Sequence, residues 1–472
     1  MLILVLNRPP LLAASWRIAM ELFKIRVQNL GRIKSAELTI RPLTIFCGPN
    51  NTNKTWTAYA IYGLAQRLSQ WAEVWRQGNV KDVVDTISVN QGILHLIDTE
   101  VSRFIELAAK SRPDARFDHE VDRSRLLERV VSPVSIGIGA PGLSQLTGAS
   151  AADVEDGSLT LDIEKDRFGL PMSERVSLLF QKGELSLFSA QFDNFNANFD
   201  LGRFDYERLA AGYVRPAIEL LAFGILRRAL AFPAERNLLN LLYNRNEVDV
   251  KKAESLALPL KTYTTFMIED LHRKESPKGR ESVLAAIEQV LGGRIELESD
   301  GAWRELVFRF GPDRKLRLPA VSSLVRSMAG IYRYLATVAQ DGDLVIIDEP
   351  EMNAHPEAQL MIAELLGVLV HHGINVVITT HSPYIVDHIN NLMEAAELPA
   401  AQQEAVARRF RLGMREAFVP TSEVAAYVFD EDGGVTDAID RSSRIIDWST
   451  FGRTSDHVAN LYSDILEAAE KE

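Results

Sequence analysis

Residues 343–355 read Asp343-Leu344-Val345-Ile346-Ile347-Asp348-Glu349-Pro350-Glu351-Met352-Asn353-Ala354-His355, and the fold turns on them. Leu344 to Ile347 are apolar, and three of the four are β-branched. That predicts a strand buried on both faces, as in a parallel sheet. Two acids and a proline end it. Acids are costly in a core unless paired or bound to a cation. At the carboxyl end of a parallel strand they face the crevice where ligands bind. Asp348 is then placed to hold Mg²⁺, directly or through water, and Glu349 to aim a carboxylate at an attacking water. An ordinary acidic turn after a core strand is the plainer alternative.

A second apolar run, Leu43 to Cys47, leads into Gly48-Pro49-Asn50-Asn51-Thr52-Asn53-Lys54-Thr55 and a helical pattern from Trp56. Strand, loop and helix in that order form the context a phosphate-binding loop needs. Backbone N–H groups and the helix N-terminus would face a β-phosphate. Lys54 would reach the β- and γ-phosphates, and the Thr55 hydroxyl would join the Mg²⁺ shell. Asn53 stands where the pattern has its second glycine. Asn tolerates left-handed backbone, yet its side chain is expected to crowd the phosphates and reduce affinity and turnover. A third apolar run, Ile374 to Ile378, continues through Thr379 and Thr380 to His381. One helical segment, Pro356 to His371, separates it from the Asp-Glu strand. The two strands should therefore be neighbours, with His381 within reach of a γ-phosphate.

The bulk composition bounds the rest. The chain has 472 residues, 46% hydrophobic and 25% charged, with net charge −12. That argues against coating nucleic acid by bulk charge. A single cysteine, Cys47, excludes an intrachain disulfide and fits a reducing cytoplasm. It reads as a small buried hydrophobe. No apolar run suits a bilayer span, so no membrane partner is expected. Residues 1–19 read as an extension, with Met20 the expected start.

Outward from these motifs, Leu22–Gln28 and Ile33–Ile40 alternate as paired strands. Helical patterns run from Trp56 to Trp75 and from Asn79 to Arg112. Ser132–Ala151 reads as loop. Leu159–Ile163, Arg175–Phe180 and Glu184–Phe188 read as strands, and Lys182-Gly183 as a hairpin turn. Tyr206–Ala231 reads as a long helix, broken by Phe232-Pro233-Ala234-Glu235-Arg236. Strands return at Ile295–Leu297, Leu306–Phe310 and Lys315–Leu318. Ser322 suits the N-cap of the next helix. Helices follow at Tyr384–Leu398, Ala401–Arg411 and Ser455–Glu467. Asp430-Glu431-Asp432-Gly433 is better read as a hairpin turn than as a metal site. The expected units are 20–76 (β-lobe and phosphate loop), 77–290 (a mainly helical insertion), 291–400 (second part of the head) and 401–472 (closing helices and hairpin).

Taken together, Gly48–Thr55, Val321-Ser322-Ser323-Leu324-Val325-Arg326, Leu344–Pro350 and Thr379–Pro383 resemble the ABC-type P-loop ATPase heads of the OLD-like and SMC-like group. The resemblance covers about half the chain, both lobes but not the insertion. It implies an α/β head with an N-terminal antiparallel β-lobe, binding ATP and Mg²⁺. It implies Glu349 as general base, His381 as γ-phosphate sensor, and Lys54 with Thr55 and Asp348 as phosphate and Mg²⁺ ligands. Gly48 to Trp56 would cradle the nucleotide. Ser322, Ser323 and Arg326 would cap ATP held by the opposite protomer, with Leu324 replacing a glycine of the usual signature. Glu351–His355 would cross the dimer interface. No glutamine stands out as the coupling residue; Arg236 fills that place or is an ion-paired structural residue.

A TOPRIM nuclease, frequent in OLD-like proteins, lacks room after His381, so no nuclease activity is expected. Nuclease-free relatives act as sensors or scaffolds in phage-defence pairs, PARIS-type and Septu-type among them. That implies a homo-oligomer, a separate effector, and DNA or a phage protein as trigger. Two alternatives stay open. One is a scaffold that binds nucleotide and hardly hydrolyses it, motivated by Asn53 and Leu324. The other is an SMC-like DNA repair ATPase, which would show long heptad arms or a basic groove; the insertion has no sustained heptads.

Overall fold

The computed structural model describes residues 22–77, 87–89, 117–122, 134–163, 175–181, 184–189, 192–198, 228–243, 256–271, 279–300, 303–311, 313–440 and 442–447, with a few isolated positions besides. The alternation after residue 22 becomes a hairpin. Phe23–Leu30 (β1) and Ile33–Ile40 (β2) pair antiparallel, with Ile25, Val27, Leu38 and Ile40 buried and Lys24, Arg26 and Glu37 exposed. Leu43–Cys47 (β3) follows, buried at every position, and feeds Lys54–Gln77 (α1).

Most described elements between residues 87 and 198 are strands: Ile87–Val89 (β4), Phe117–Asp122 (β5), Val134–Ile138 (β6), Ser158–Ile163 (β7), Arg175–Gln181 (β8), Glu184–Ser189 (β9) and Phe192–Asn198 (β10). The helix Ala140–Thr147 (α2) and a 3₁₀ turn at Ala151–Val154 lie among them, and positions 99, 102, 103 and 106 are helical too. The described part of 77–290 therefore holds strands beyond those of the mainly helical insertion expected there. Strands β7, β6 and β4 extend the hairpin into a five-stranded sheet of order β2-β1-β7-β6-β4, with Ile25 opposite Leu161. The sheet therefore crosses the boundary placed at 76/77. A pairing partner more than a hundred residues away leaves no local signal. Ser132–Ala151 is corrected too: it holds β6 and α2. Val134, Ile136 and Ile138 do alternate as a half-buried strand should, but Ser135 and Gly137 between them mimic a loop. Strands β5, β8, β9 and β10 form a second sheet of order β10-β9-β8-β5. Gln181 pairs with Glu184 across the expected Lys182-Gly183 turn, which itself lies outside the described residues.

The second half supplies most of the head. Ala229–Phe232 (β11) is a strand where the end of a helix was expected; a four-residue apolar run has no period to tell the two apart. Most of Tyr206–Ala231 lies outside the described residues, as do residues 1–19 and most of Ser455–Glu467. Helices Arg236–Tyr243 (α3), Leu258–Asp270 (α4) and Glu281–Leu291 (α5) come next. A three-stranded sheet follows, made of Arg294–Asp300 (β12), Trp303–Phe310 (β13) and Arg314–Arg317 (β14). Ser323–Thr337 (α6) leads to Leu344–Asp348 (β15), Pro356–His371 (α7), Asn375–Thr380 (β16), Pro383–Ala396 (α8) and Ala400–Ala407 (α9). The hairpin Val424–Phe429 (β17) and Val435–Asp437 (β18) closes the unit.

The central sheet runs β11-β15-β16-β3-β17-β18 and is parallel through β17. The α/β class and the parallel sheet are as expected. Val345, Ile347, Val376 and Ile378 join one apolar core with Ile362, Leu365 and Leu366 of α7 and Met328 and Leu335 of α6. Each such fully buried side chain contributes about 1.5–3 kcal/mol. The register sets the site: Asp348 lies opposite Thr379, and Thr380 opposite Cys47. Neighbouring strands are about 4.8 Å apart, so three strand ends deliver their next residues to one edge. No helix among the described residues is long and apolar enough to cross a membrane.

Candidate active site

Gly48 leaves β3 at φ +134, and a Cβ there would meet the Phe429 carbonyl oxygen at 2.1 Å. Only glycine lets the loop start this close to β17. Asn51 and Asn53 then take left-handed backbone, at φ +60 and +65. The Asn53 side chain does not point at the phosphate position, contrary to the expectation from sequence. Its Oδ1 accepts from the Arg32 backbone N–H at 2.9 Å, and its amide packs on Gly31. A Cβ on Gly31 would lie 2.3 Å from Asn53 Nδ2. The β1–β2 turn thus braces the loop, while Arg32 Nη1 donates to the Glu431 carbonyl of the β17–β18 turn. That turn is closed by Asp430, whose Oδ1 accepts from the Asp432 and Gly434 backbone N–H groups. The Asp430–Asp432 cluster is a hairpin turn, as read.

Lys54 is buried and folded over its own loop. Its Nζ donates to the Pro49 carbonyl at 2.6 Å and to Thr52 Oγ1 at 3.2 Å. Burial draws its pKa down to about 8, against the opposing pull of Cys47, Glu349, Asp348 and Glu351. Cys47 itself is buried, as expected. Asn50 and Asn51 are exposed; Pro49, Thr55 and Trp56 are half-buried.

Thr55 Oγ1 donates to Asp348 Oδ1 at 3.0 Å, across the two strand ends. The same carboxylate accepts from Tyr59 at 3.2 Å and from Thr379 Oγ1. Asp348 is nearly inaccessible, so these hydroxyls replace the water it has lost. A hydroxyl and a carboxylate on one spot are hard oxygen donors. Mg²⁺ takes one or two protein oxygens of this kind and completes its shell with phosphates and water, so Thr55 and Asp348 fit it. Among the described residues no group of three or more His, Cys, Asp and Glu converges to hold a metal.

Glu349 follows at φ +46, in left-handed backbone. A non-glycine residue there costs about 1–3 kcal/mol and persists only when its surroundings hold it. Two sets of bonds do so. Its N–H donates to the Thr379 carbonyl at 3.0 Å, and its carbonyl accepts from Arg236 Nη2 at 2.8 Å. The carboxylate is half-buried; burial, Asp348 and Glu351 push its pKa up. His381 Nε2 lies 3.9 Å from Glu349 Oε1. Burial and Lys54 lower the pKa of the imidazole, against the opposing pull of Asp348 and the Gly48 backbone. Glu351 fixes this loop: its Oε1 accepts from Thr380 Oγ1 at 2.7 Å and from the His381 N–H at 2.8 Å.

Gly48, Lys54, Thr55, Asp348, Glu349 and His381 therefore share one edge. Ser322, Ser323 and Arg326 stand at the start of α6. Ser322 is exposed and caps the helix through the Val325 N–H. Arg326 is tied to its own loop, donating to the Val321 carbonyl at 2.7 Å, to Pro319 at 3.3 Å and to Asn237 Oδ1 at 3.0 Å. Leu324 packs against the core. Tyr59 and Thr379 were missed from sequence. Both had a signal: Tyr59 is four residues from Thr55 on one helix face, and Thr379 is the first polar residue after the apolar run Val376–Ile378.

A family model described as an AAA ATPase domain matches residues 237–386. The matched stretch runs from α3 through α6, β15 and β16 into α8. No curated protein matches. Among solved structures, an Smc head bound to the C-winged helix domain of ScpA overlaps with TM-score 0.33 at 10% identity, covering 89% of this chain and 97% of that one. The SMC head domain from Thermotoga maritima gives TM-score 0.29 at 9% identity, covering 79% and 92%. The Smc head with an extended coiled coil, bound to the C-terminal domain of ScpA derived from Pyrococcus furiosus, gives 0.31 at 11%, covering 89% and 95%.

Proposed function

We propose that this chain is an ATP-driven switch of the ABC type: two copies sandwich ATP, and hydrolysis releases them. One observation carries the reading. The phosphate-loop lysine and threonine, the Asp348–Glu349 pair and His381 meet on one sheet edge, within an arrangement that holds three non-glycine residues, Asn51, Asn53 and Glu349, in left-handed backbone. The AAA ATPase match over 237–386, which takes in Asp348, Glu349 and His381, supports the ATPase part of it.

In this reading Lys54 leaves the Pro49 carbonyl and places its charge on the phosphates. Thr55 and Asp348 hold Mg²⁺, which supplies charge neutralisation when bound. Glu349 takes the proton of the attacking water, and its raised pKa makes it a stronger base than an ordinary carboxylate. His381, held neutral by its lowered pKa, donates a hydrogen bond to the γ-phosphate. Positioning and charge stabilisation supply most of the catalysis in such transfers. Ser322, exposed at the start of α6, and the half-buried Ser323 cap the ATP of the second copy. The finer role, closure signalled to a separate effector in phage defence, rests on the motif resemblance alone.

Steady-state ATP hydrolysis tests the reading. Wild type should turn over ATP, Lys54→Ala should lose nucleotide binding, and Glu349→Gln should bind ATP without cleaving it. Absence of both binding and turnover in wild type would refute it. A non-hydrolysing scaffold has less support now that Asn53 faces the β1–β2 turn; it predicts binding with no turnover.

A further inference from the structure

Among the described residues, Arg236 is the largest fully buried side chain with no carboxylate hydrogen-bonded to it. Its guanidinium donates instead to four backbone carbonyls: Asp348 at 2.6 Å, Glu349 at 2.8 Å, Pro233 at 2.9 Å and Ser327 at 3.1 Å. A planar fork with five donors can do this; an ammonium cannot. Two of the carbonyls belong to the Asp-Glu turn. One belongs to α6, the helix whose first residues would cap the second copy's ATP. The rest of α3 grips the same end of α6. Asn240 Nδ2 donates to the Arg326 carbonyl at 2.6 Å while its Oδ1 accepts from Tyr263 at 2.6 Å. Asn237 Oδ1 accepts from Arg326 Nε at 3.0 Å. Helix α3 is thus bonded on one side to the strained residue that activates water, and on the other to the helix serving the opposite site.

We infer that α3 couples the two sites of the dimer, with Arg236 as the positioning residue through which occupancy sensed at the start of α6 sets the aim of Glu349. This rests on the sandwich-dimer reading above. Displacing α6 by a fraction of an ångström moves the Ser327 carbonyl. The guanidinium is rigid and its donors are committed, so the Glu349 carbonyl follows. Glu349 sits in a sparsely populated backbone region, so a small push changes where its carboxylate points. Each copy then hydrolyses its own ATP only when its α6 has closed on the partner's.

Tagged heterodimers separate this coupling from a local structural role. The reference pairs wild type with Glu349→Gln, leaving one competent site. In the first test pair, Arg236→Lys is placed in the chain that keeps Glu349. In the second, the partner carries Lys54→Ala in place of Glu349→Gln, so the α6 of the working chain has no ATP to close on. Coupling predicts a fall of about tenfold or more, about 1.4 kcal/mol, in both test pairs with the working site's ATP affinity retained, and no further fall when Arg236→Lys is added to the working chain of the second. Reference-level turnover in the second pair, or an equal further fall on adding Arg236→Lys, overturns the inference and leaves Arg236 as a local brace. Asn237→Ala, half-buried and bonded to Arg326 rather than to Glu349, is the second variant, for the case that Arg236→Lys does not fold. It should lower turnover and bring the ATP dependence of the homodimer from cooperative to non-cooperative; unchanged turnover and cooperativity overturn the inference. Full turnover by wild-type chains that stay single with ATP bound would instead refute the dimer reading.

Discussion

Asn53 shows how one residue's meaning depends on where its side chain goes. By sequence it is a flaw in a phosphate loop; in the fold it is a strut on the Gly31–Arg32 turn. Asn53→Gly should therefore weaken ATP binding by a few-fold, since a hydrogen bond of about 0.5–1.5 kcal/mol is lost and the loop gains freedom. Gly31→Ala, at φ +59 and against the Asn53 amide, should do the same. Tighter ATP binding by Asn53→Gly in calorimetric titration would contradict this. Lys54 gives a second prediction. Burial lowers its pKa to about 8 in the free protein, and bound phosphates favour the charged form. ATP affinity should be level below that pH and weaken above it, by up to about tenfold per pH unit. An affinity level to well above pH 9 would argue against Lys54 as the phosphate ligand. The motif residues were legible in sequence because loop chemistry is local. Arg236 was singled out only through the motif resemblance; its bonds were not legible, because its partners are carbonyl oxygens, which every residue has.

Elements were legible where their signal lay within themselves. Strand β15 is a short β-branched run, α6 has its Ser322 cap, and Pro356–His371 was read to the residue. Strand β11 and the sheet made by β4, β6 and β7 with β1 were not legible, because those strands are defined by partners far along the chain. The contact between α4 and α6 belongs to the same scale. Arg333 Nε donates to Asp270 Oδ2 at 2.6 Å, both side chains at most 1% exposed, and Thr337 donates to Asp270 Oδ1. Asp270→Ala leaves a cation buried without its carboxylate and should cost about 3–5 kcal/mol. Joint replacement, Asp270→Leu with Arg333→Met, should recover most of that. Thermal or denaturant unfolding checks both; equal destabilisation by the single and double variants would contradict the account.

At the scale of the whole molecule, the parallel sheet does one thing for function. It delivers the ends of β3, β15 and β16 to a single edge, in the register Asp348–Thr379 and Thr380–Cys47. The flanking lobe steadies that edge through Asn53 and Arg32, and α3 ties it to α6. Native mass spectrometry of Glu349→Gln with Mg²⁺ and ATP tests this arrangement most directly. The account predicts a two-chain particle carrying two uncleaved ATP molecules. A single chain free of nucleotide under the same conditions would contradict it.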